Sequence, residues 1–282
     1  MTSITAPTRP TRANLQPRRH SQLYWALADA LVLAKRRLVQ IPRIPDELIF
    51  ATIQPIMFVV LFRYVFGGAI NLSGASAGVG DNYANFLMAG IFVQTVIFGA
   101  TTTGVGLAQD LEKGLVDRFR SLPMAKSAVL TGRTIADLVR NLFVVIVMLV
   151  VGLAVGFRPS GSPLAWLLAI GFMLLVSFAF SWISATIGLV VHSVEAAQSA
   201  GFIWLFPLTF ASSAFTPVQT MPNWLQAFAE RQPVTFMVDA VRALLLGQAV
   251  GADGWRALAW CLGILVVFIP LSVWLYGRRV GR

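Results

Sequence analysis

Between Leu48 and Tyr276 the sequence falls into six long apolar runs separated by charged or proline-broken segments. They lie at 48–66, 86–108, 138–155, 164–191, 196–215 and 258–276. Each is close to the ~20 residues a helix needs to cross the hydrocarbon core of a bilayer. Only helices and closed barrels satisfy their own backbone hydrogen bonds there, and runs this long read as helices. The expected fold is an all-α integral membrane protein with six transmembrane helices. Composition agrees: 57% of the 282 residues are hydrophobic and 12% are charged, against roughly 25% charged in a soluble domain. Six spans would put both termini on one side.

The net charge of +10 reads as topology, not as a nucleic-acid footprint, because the basic residues sit beside the apolar runs. Arg9, Arg12, Arg18, Arg19, Lys35, Arg36, Arg37 and Arg43 precede the first run. Six more fall between Lys113 and Arg140, and Arg278, Arg279 and Arg282 close the chain. The opposite loops hold only Arg158, Arg231, Arg242 and Arg256. By the positive-inside rule both termini are expected in the cytoplasm of a multi-pass plasma-membrane protein. The lone Cys261 lies in an apolar run and can form no internal disulfide.

Residues 1–20, with Pro7, Pro10 and Pro17 among Thr and Arg, read as a disordered tail and not as a signal peptide. Over 21–40, Leu23, Leu27, Leu31, Ala34 and Leu38 recur at helical spacing, with Tyr24 and Trp25 suited to headgroups. This predicts an amphipathic helix on the membrane surface, with an ordinary soluble helix as the alternative. The division expected is a tail at 1–20, an interfacial helix and linker at 21–46, and a six-span domain at 47–282. Segment 216–254 is too broken to span and too apolar for a plain loop. Two short helices are expected in it, at 223–230 and 233–246, with Pro233 in the first turn, where a missing N–H is harmless. Phe236, Ala240, Val241, Leu244 and Leu245 form a stripe, so the segment is expected to dip into the membrane from outside, against protein or a wet cavity.

No GxxxxGK[ST] phosphate cradle occurs in the chain. Two histidines and one cysteine give no metal-ligand cluster, and His192 reads as a solvated turn residue beside Ser193 and Glu195. No catalytic residue or cofactor is therefore expected in this chain. Asp110, Glu112, Asp117, Asp137 and Glu195 read as cytoplasmic or at a membrane edge; Asp81, Glu230, Asp239 and Asp253 read as outside. Intramembrane carboxylates are the usual proton relays, so a proton relay is not expected, while sodium on backbone carbonyls stays open. Any uphill movement then draws its energy from another subunit. Segment 109–123 reads as a short charged helix anchored by Leu111, Leu115, Phe119 and Leu122 and stopped by Pro123. Its mixed-sign surface (Glu112, Lys113, Asp117, Arg118, Arg120) suits a protein groove or a solvated loop equally well.

Arg63, near one end of the first run, can hold a lipid phosphate or carboxylate headgroup or simply reach the interface. Phe58, Phe62, Phe92, Phe98, Phe172, Phe178, Trp182 and Trp204 can line a path for an amphiphile or pack as ordinary span residues. Gln54-Pro55 and Thr101, Thr102 and Thr103 add polar or kinked points without an assigned role.

The sequence resembles the permeases of ABC-2-type exporters, and most nearly those of the daunorubicin-resistance type. Three stretches carry the likeness. The first is EKGLVDRFRSLPMAKSAVLTGR at 112–133, similar to the family's E-x-G…P…[KR] loop. The second, at 212–247, is SSAFTPVQTMPNWLQAFAERQPVTFMVDAVRALLLG, similar to S-x-x-F-x-P…M-P…W-L…N-P…R-x-L. The third is the amphipathic N-terminal helix. Arg231-Gln232-Pro233 stands where the family usually shows Asn-Pro, and Gln keeps an amide there. The resemblance implies a permease dimer, either two copies or a copy with a paralogue, and two copies of a separate ABC ATPase that carries the ATP and Mg. It implies a coupling helix on the ATPase formed by Glu112, Lys113, Gly114, Asp117, Arg118, Phe119, Arg120, Leu122 and Pro123. It also implies a re-entrant extracellular gate that includes Pro217, Pro222, Trp224, Pro233 and Arg242. The implied cargo is a hydrophobic drug, a lipid or a lipid-linked compound. The alternatives are a lipid-linked polysaccharide exporter and an ATP-independent carrier.

Overall fold

The computed structural model describes residues 45–66, 83–114 and 126–280, with Val32 and Lys35 as isolated helical positions. The 1–20 tail, the rest of the 21–40 helix and residues Asp117, Arg118, Phe119, Arg120, Leu122 and Pro123 lie outside the described residues. Among the described residues all regular structure is helical. The helices are α1 (Pro45–Val60, continued by a π-helical segment Leu61–Phe66), α2 (Tyr83–Glu112), α3 (Lys126–Val155), α4 (Pro163–Val190), α5 (Val194–Phe210), α6 (Asn223–Ala229), α7 (Pro233–Leu245) and α8 (Gly251–Val280).

Among the described residues five helices are long and apolar enough to cross a membrane: Leu48–Val65, Tyr83–Glu112, Leu130–Val155, Pro163–Val190 and Gly251–Arg279. The fifth expected run, 196–215, is different. Its helix α5 has 17 residues, about 25 Å at 1.5 Å per residue, and stops at Phe210. Pro207 inside it has no N–H to donate. Ser212 then turns its hydroxyl onto the Thr209 carbonyl and accepts from the Ala214 N–H, which bends the chain into a buried turn.

Helix α2 is the centre of the bundle. In its most apolar stretch 83% of the residues are buried, against 11% in those of α1 and α8, so its neighbours wrap round it. Its closest partner is α4. A Cβ on Gly104 would strike the Ser184 carbonyl, and one on Gly188 the Gly104 carbonyl. Missing side chains thus let two backbones touch, which is how helices gain packing contacts where lipid offers no hydrophobic drive. At 30 residues, α2 is about 45 Å long, longer than the ~30 Å hydrocarbon core. It ends at Gly114, whose φ of 63° is the left-handed conformation that closes helices. The expected break at residue 109 is therefore absent: Gln109, Asp110, Leu111 and Glu112 belong to α2 and not to a separate loop helix.

The two short helices fall almost where the sequence puts them. Gln232 caps α7, accepting from the Val234 N–H at 3.0 Å, with Pro233 next to it in the first turn. Its Nε2 donates to the Leu208 carbonyl at 3.0 Å, so the amide also satisfies the fraying end of α5. α7 itself is packed into the bundle: Val234, Met237, Val238, Val241 and Leu245 are buried in the main core.

Candidate functional site

Three polar regions stand out, at the Tyr83 end of α2, at its Glu112 end, and between. At the Tyr83 end, Arg242 of α7 is buried. Its guanidinium lies 3.9 Å from the Phe86 ring centroid and donates to the Phe86 and Ser213 carbonyls and to Asp239, the last at 2.5 Å. Ser213 donates to the same Asp239 carboxylate at 2.7 Å. One cation thus ties α7, α2 and the turn after α5 together. Burial pushes the Asp239 carboxyl up from its ordinary value, and Arg242 and Ser213 pull it the other way. The remaining expected gate residues are spread around this point. Pro217 is buried and Pro233 begins α7, whereas Pro222 and Trp224 are exposed, Trp224 at 75%. Arg63 is half-exposed on the π-helical segment after α1, and no contact separates its two readings.

At the Glu112 end, the Glu112 carboxylate accepts from the Val194 N–H, the first residue of α5, at 3.1 Å. A carboxylate there also suits the positive end of the α5 dipole. Ser193 caps the same helix through Ala196 N. Arg279 of α8 donates to the Val190 and Val191 carbonyls at 2.9 and 3.0 Å. The α4–α5 turn is therefore held from two sides, by the last residue of α2 and by the end of α8. Lys113 is exposed and Gly114 forms the stop.

Between these ends runs a polar ladder. Arg133, Asp137, Arg140 and Asn141 repeat at helical spacing along α3 and face α2. Arg133 pairs with Asp110. Asp137 accepts from Thr103 at 2.5 Å. Arg140 donates to Gly99 O at 2.8 Å and to Thr102 Oγ1 at 2.5 Å, and Asn141 donates to Ser177 of α4 at 2.6 Å. This corrects one expectation. Arg133 and Arg140 are not loop charges: with Asp137 they belong to the long helix α3, Asp137 and Arg140 almost fully buried. The signal lies in R-x3-D-x2-R-N, but the third apolar run begins only at Leu138 because these charges interrupt it.

Beside the ladder a cavity of about 380 Å³ opens between α1, α2, α3 and α5. Gln54, Pro55 and Phe58 of α1, Gln94, Thr95, Phe98, Thr101 and Thr102 of α2, Arg140 and Asn141 of α3, and Gln198 and Phe202 of α5 line it. The polar and kinked points of the sequence thus meet here, with Phe58 and Phe98 of the candidate path aromatics. Phe92 and Trp182 instead pack in the interior.

A bundle of long apolar helices around a buried mast, with an internal cavity of mixed polarity, defines a multi-pass helical membrane protein. A family model for the ABC-2 type transporter matches residues 29–246, and the chain belongs to that family. It is 32% identical over 278 residues to the daunorubicin resistance ABC transporter permease protein DrrB1 of Streptomyces coeruleorubidus, covering 99% of this chain and 92% of the relative. It is 27% identical over 254 residues to the probable doxorubicin resistance ABC transporter permease protein DrrC of Mycobacterium tuberculosis, 88% of each. A putative transport permease, ycf38 of Porphyra purpurea, is 26% identical over 221 residues, 78% of this chain and 74% of the relative.

Proposed function

We propose that this chain is the permease subunit of an ATP-driven exporter that moves a hydrophobic drug, lipid or lipid-linked compound out of the cytoplasm or the inner leaflet. It crosses the membrane six times, α5 being the short fifth span, and the Glu112 end with both termini is cytoplasmic. Two such permeases work with two copies of a separate ATPase, which holds the ATP and Mg. The carrying observation is the likeness to the daunorubicin-resistance permease over 99% of the chain.

Two contacts support a route for the work. Glu112 opens the coupling segment and also caps α5, and α5 walls the cavity through Gln198 and Phe202. Movement of the loop by the ATPase therefore reaches a helix beside the cargo. A coupling element shifts an equilibrium only by what it gains in one state over another, and that difference comes from ATP binding on the partner. Pro217, Pro222, Trp224, Pro233 and Arg242 form the outward gate region, and Arg63 either holds a headgroup or reaches the interface. The test is uptake of daunorubicin into inverted vesicles containing the permease and its ATPase. Uptake is expected only with ATP, and Glu112→Lys or Arg118→Glu should reduce it at least fivefold at equal protein level. Full uptake by both variants would remove the coupling role.

One observation favours a second reading. Asp137 is a buried carboxylate on α3, a helix long and apolar enough to cross a membrane, as in an ion-coupled carrier. That reading requires uptake in vesicles that lack any ATPase subunit.

A further inference from the structure

The cavity wall contains a polar group that the fold leaves unused. Gln94, near the middle of α2, is 3% exposed, and neither its Nε2 nor its Oε1 has a hydrogen-bond partner among the described residues. Its polar neighbours differ. Thr95 and Thr102 bond to their own helix, Arg140 to α2 and Asn141 to Ser177. A buried amide with no partner weakens a fold, and each such group in a native protein calls for a specific explanation. Phe58, Phe98 and Phe202 supply apolar walls around it, while the exposed Gln54 and Gln198 flank the mouth on α1 and α5. Side-chain amides are poorly matched to bare hydrocarbon, so the mouth suits something with polar atoms of its own.

We propose that this cavity binds the transported molecule and that Gln94 is its specificity-determining contact. The occupant is a ring-bearing amphiphile that presents a donor and an acceptor together, such as a hydroxyl beside a carbonyl, to the two ends of the amide. Its rings lie among Phe58, Phe98 and Phe202. A space of about 380 Å³ is at the small end of drug-sized sites, which favours a compact polycycle over a glycan chain. This assignment rests on the export reading, which it deepens by naming a substrate class.

The test uses the purified full-length chain and daunorubicin, a hydroxyl- and carbonyl-bearing polycycle, as the probe. Gln94→Met keeps length and shape and removes both polar atoms. It should weaken equilibrium binding of daunorubicin at least tenfold while leaving the melting temperature unchanged or higher. Val105→Phe, which adds bulk to the cavity from about three turns further along α2, should weaken binding as well. Wild-type affinity in Gln94→Met overturns the inference, as does a loss of binding matched by a fall in melting temperature. A wild-type chain that binds no daunorubicin also overturns it. ATP-dependent uptake in vesicles is measured in parallel. If Gln94→Met takes up daunorubicin as the wild type does, the site fails and the export reading stands. If the wild type binds through Gln94 yet shows no ATP-dependent uptake, the site stands and the export reading fails.

Discussion

Arg242 and Gln94 are buried to a similar degree, at 6% and 3% exposure, but the protein surrounds them in opposite ways. Arg242 is met by a carboxylate, two carbonyls and an aromatic face. Gln94 is met by nothing that bonds to its amide. A cluster with many internal bonds holds elements in place, and here it fixes α7 against α2 and the turn after α5. An amide without internal bonds does no such work and is free for another molecule. The end of the bundle is therefore built for order, and the cavity for exchange.

The comparison breaks most readily at the Tyr83 end. Arg242→Ala leaves Asp239 with one hydrogen bond from Ser213. Removing one partner of a buried pair costs 3–5 kcal/mol, and Asp239 is one-third exposed, so about 3 kcal/mol is expected. Thermal unfolding in detergent would show it, and Arg242→Met with Asp239→Asn should recover part of the loss. A smaller effect, about 1–3 kcal/mol, is expected for Gly104→Leu, because the added side chain meets the Ser184 backbone, which cannot swing aside. The same melt reads it, and daunorubicin affinity measured alongside should fall less than in Gln94→Met. Trp224→Ala should change stability by no more than about 0.5 kcal/mol, since the ring is exposed. A large loss there would place α6 in the packed structure and not at its surface.

Much of the bundle was legible in the sequence because apolar length is a direct consequence of bilayer thickness. Runs 48–66 and 164–191 differ from the helices by few residues. The short helices were legible for a local reason: prolines and a capping amide mark where a helix starts, and Pro233 begins α7. What escaped was decided by partners distant in sequence. Arg133 and Arg140 look like loop charges until Asp110, Gly99 and Thr102 of α2 are seen opposite them. Gln109, Asp110 and Glu112 look like a separate polar helix because they follow the apolar part of α2. At the early end of α5 the Leu208 carbonyl is taken up by Gln232, 24 residues further on. Gln54, Pro55, Thr101 and Thr102 stood out in sequence as polar or kinked points, but only packing shows that they share one cavity with Gln94.

The distinction between ordering cluster and exchange site is tested most directly by melting the purified wild type, Arg242→Ala and Gln94→Met with and without daunorubicin. Bound ligand raises the melting temperature of whatever binds it in the folded state. The expected result is a low-melting Arg242→Ala that still shifts upward with daunorubicin, and a Gln94→Met that melts at or above wild type and does not shift. A Gln94→Met protein that shifts as far as the wild type would contradict the account.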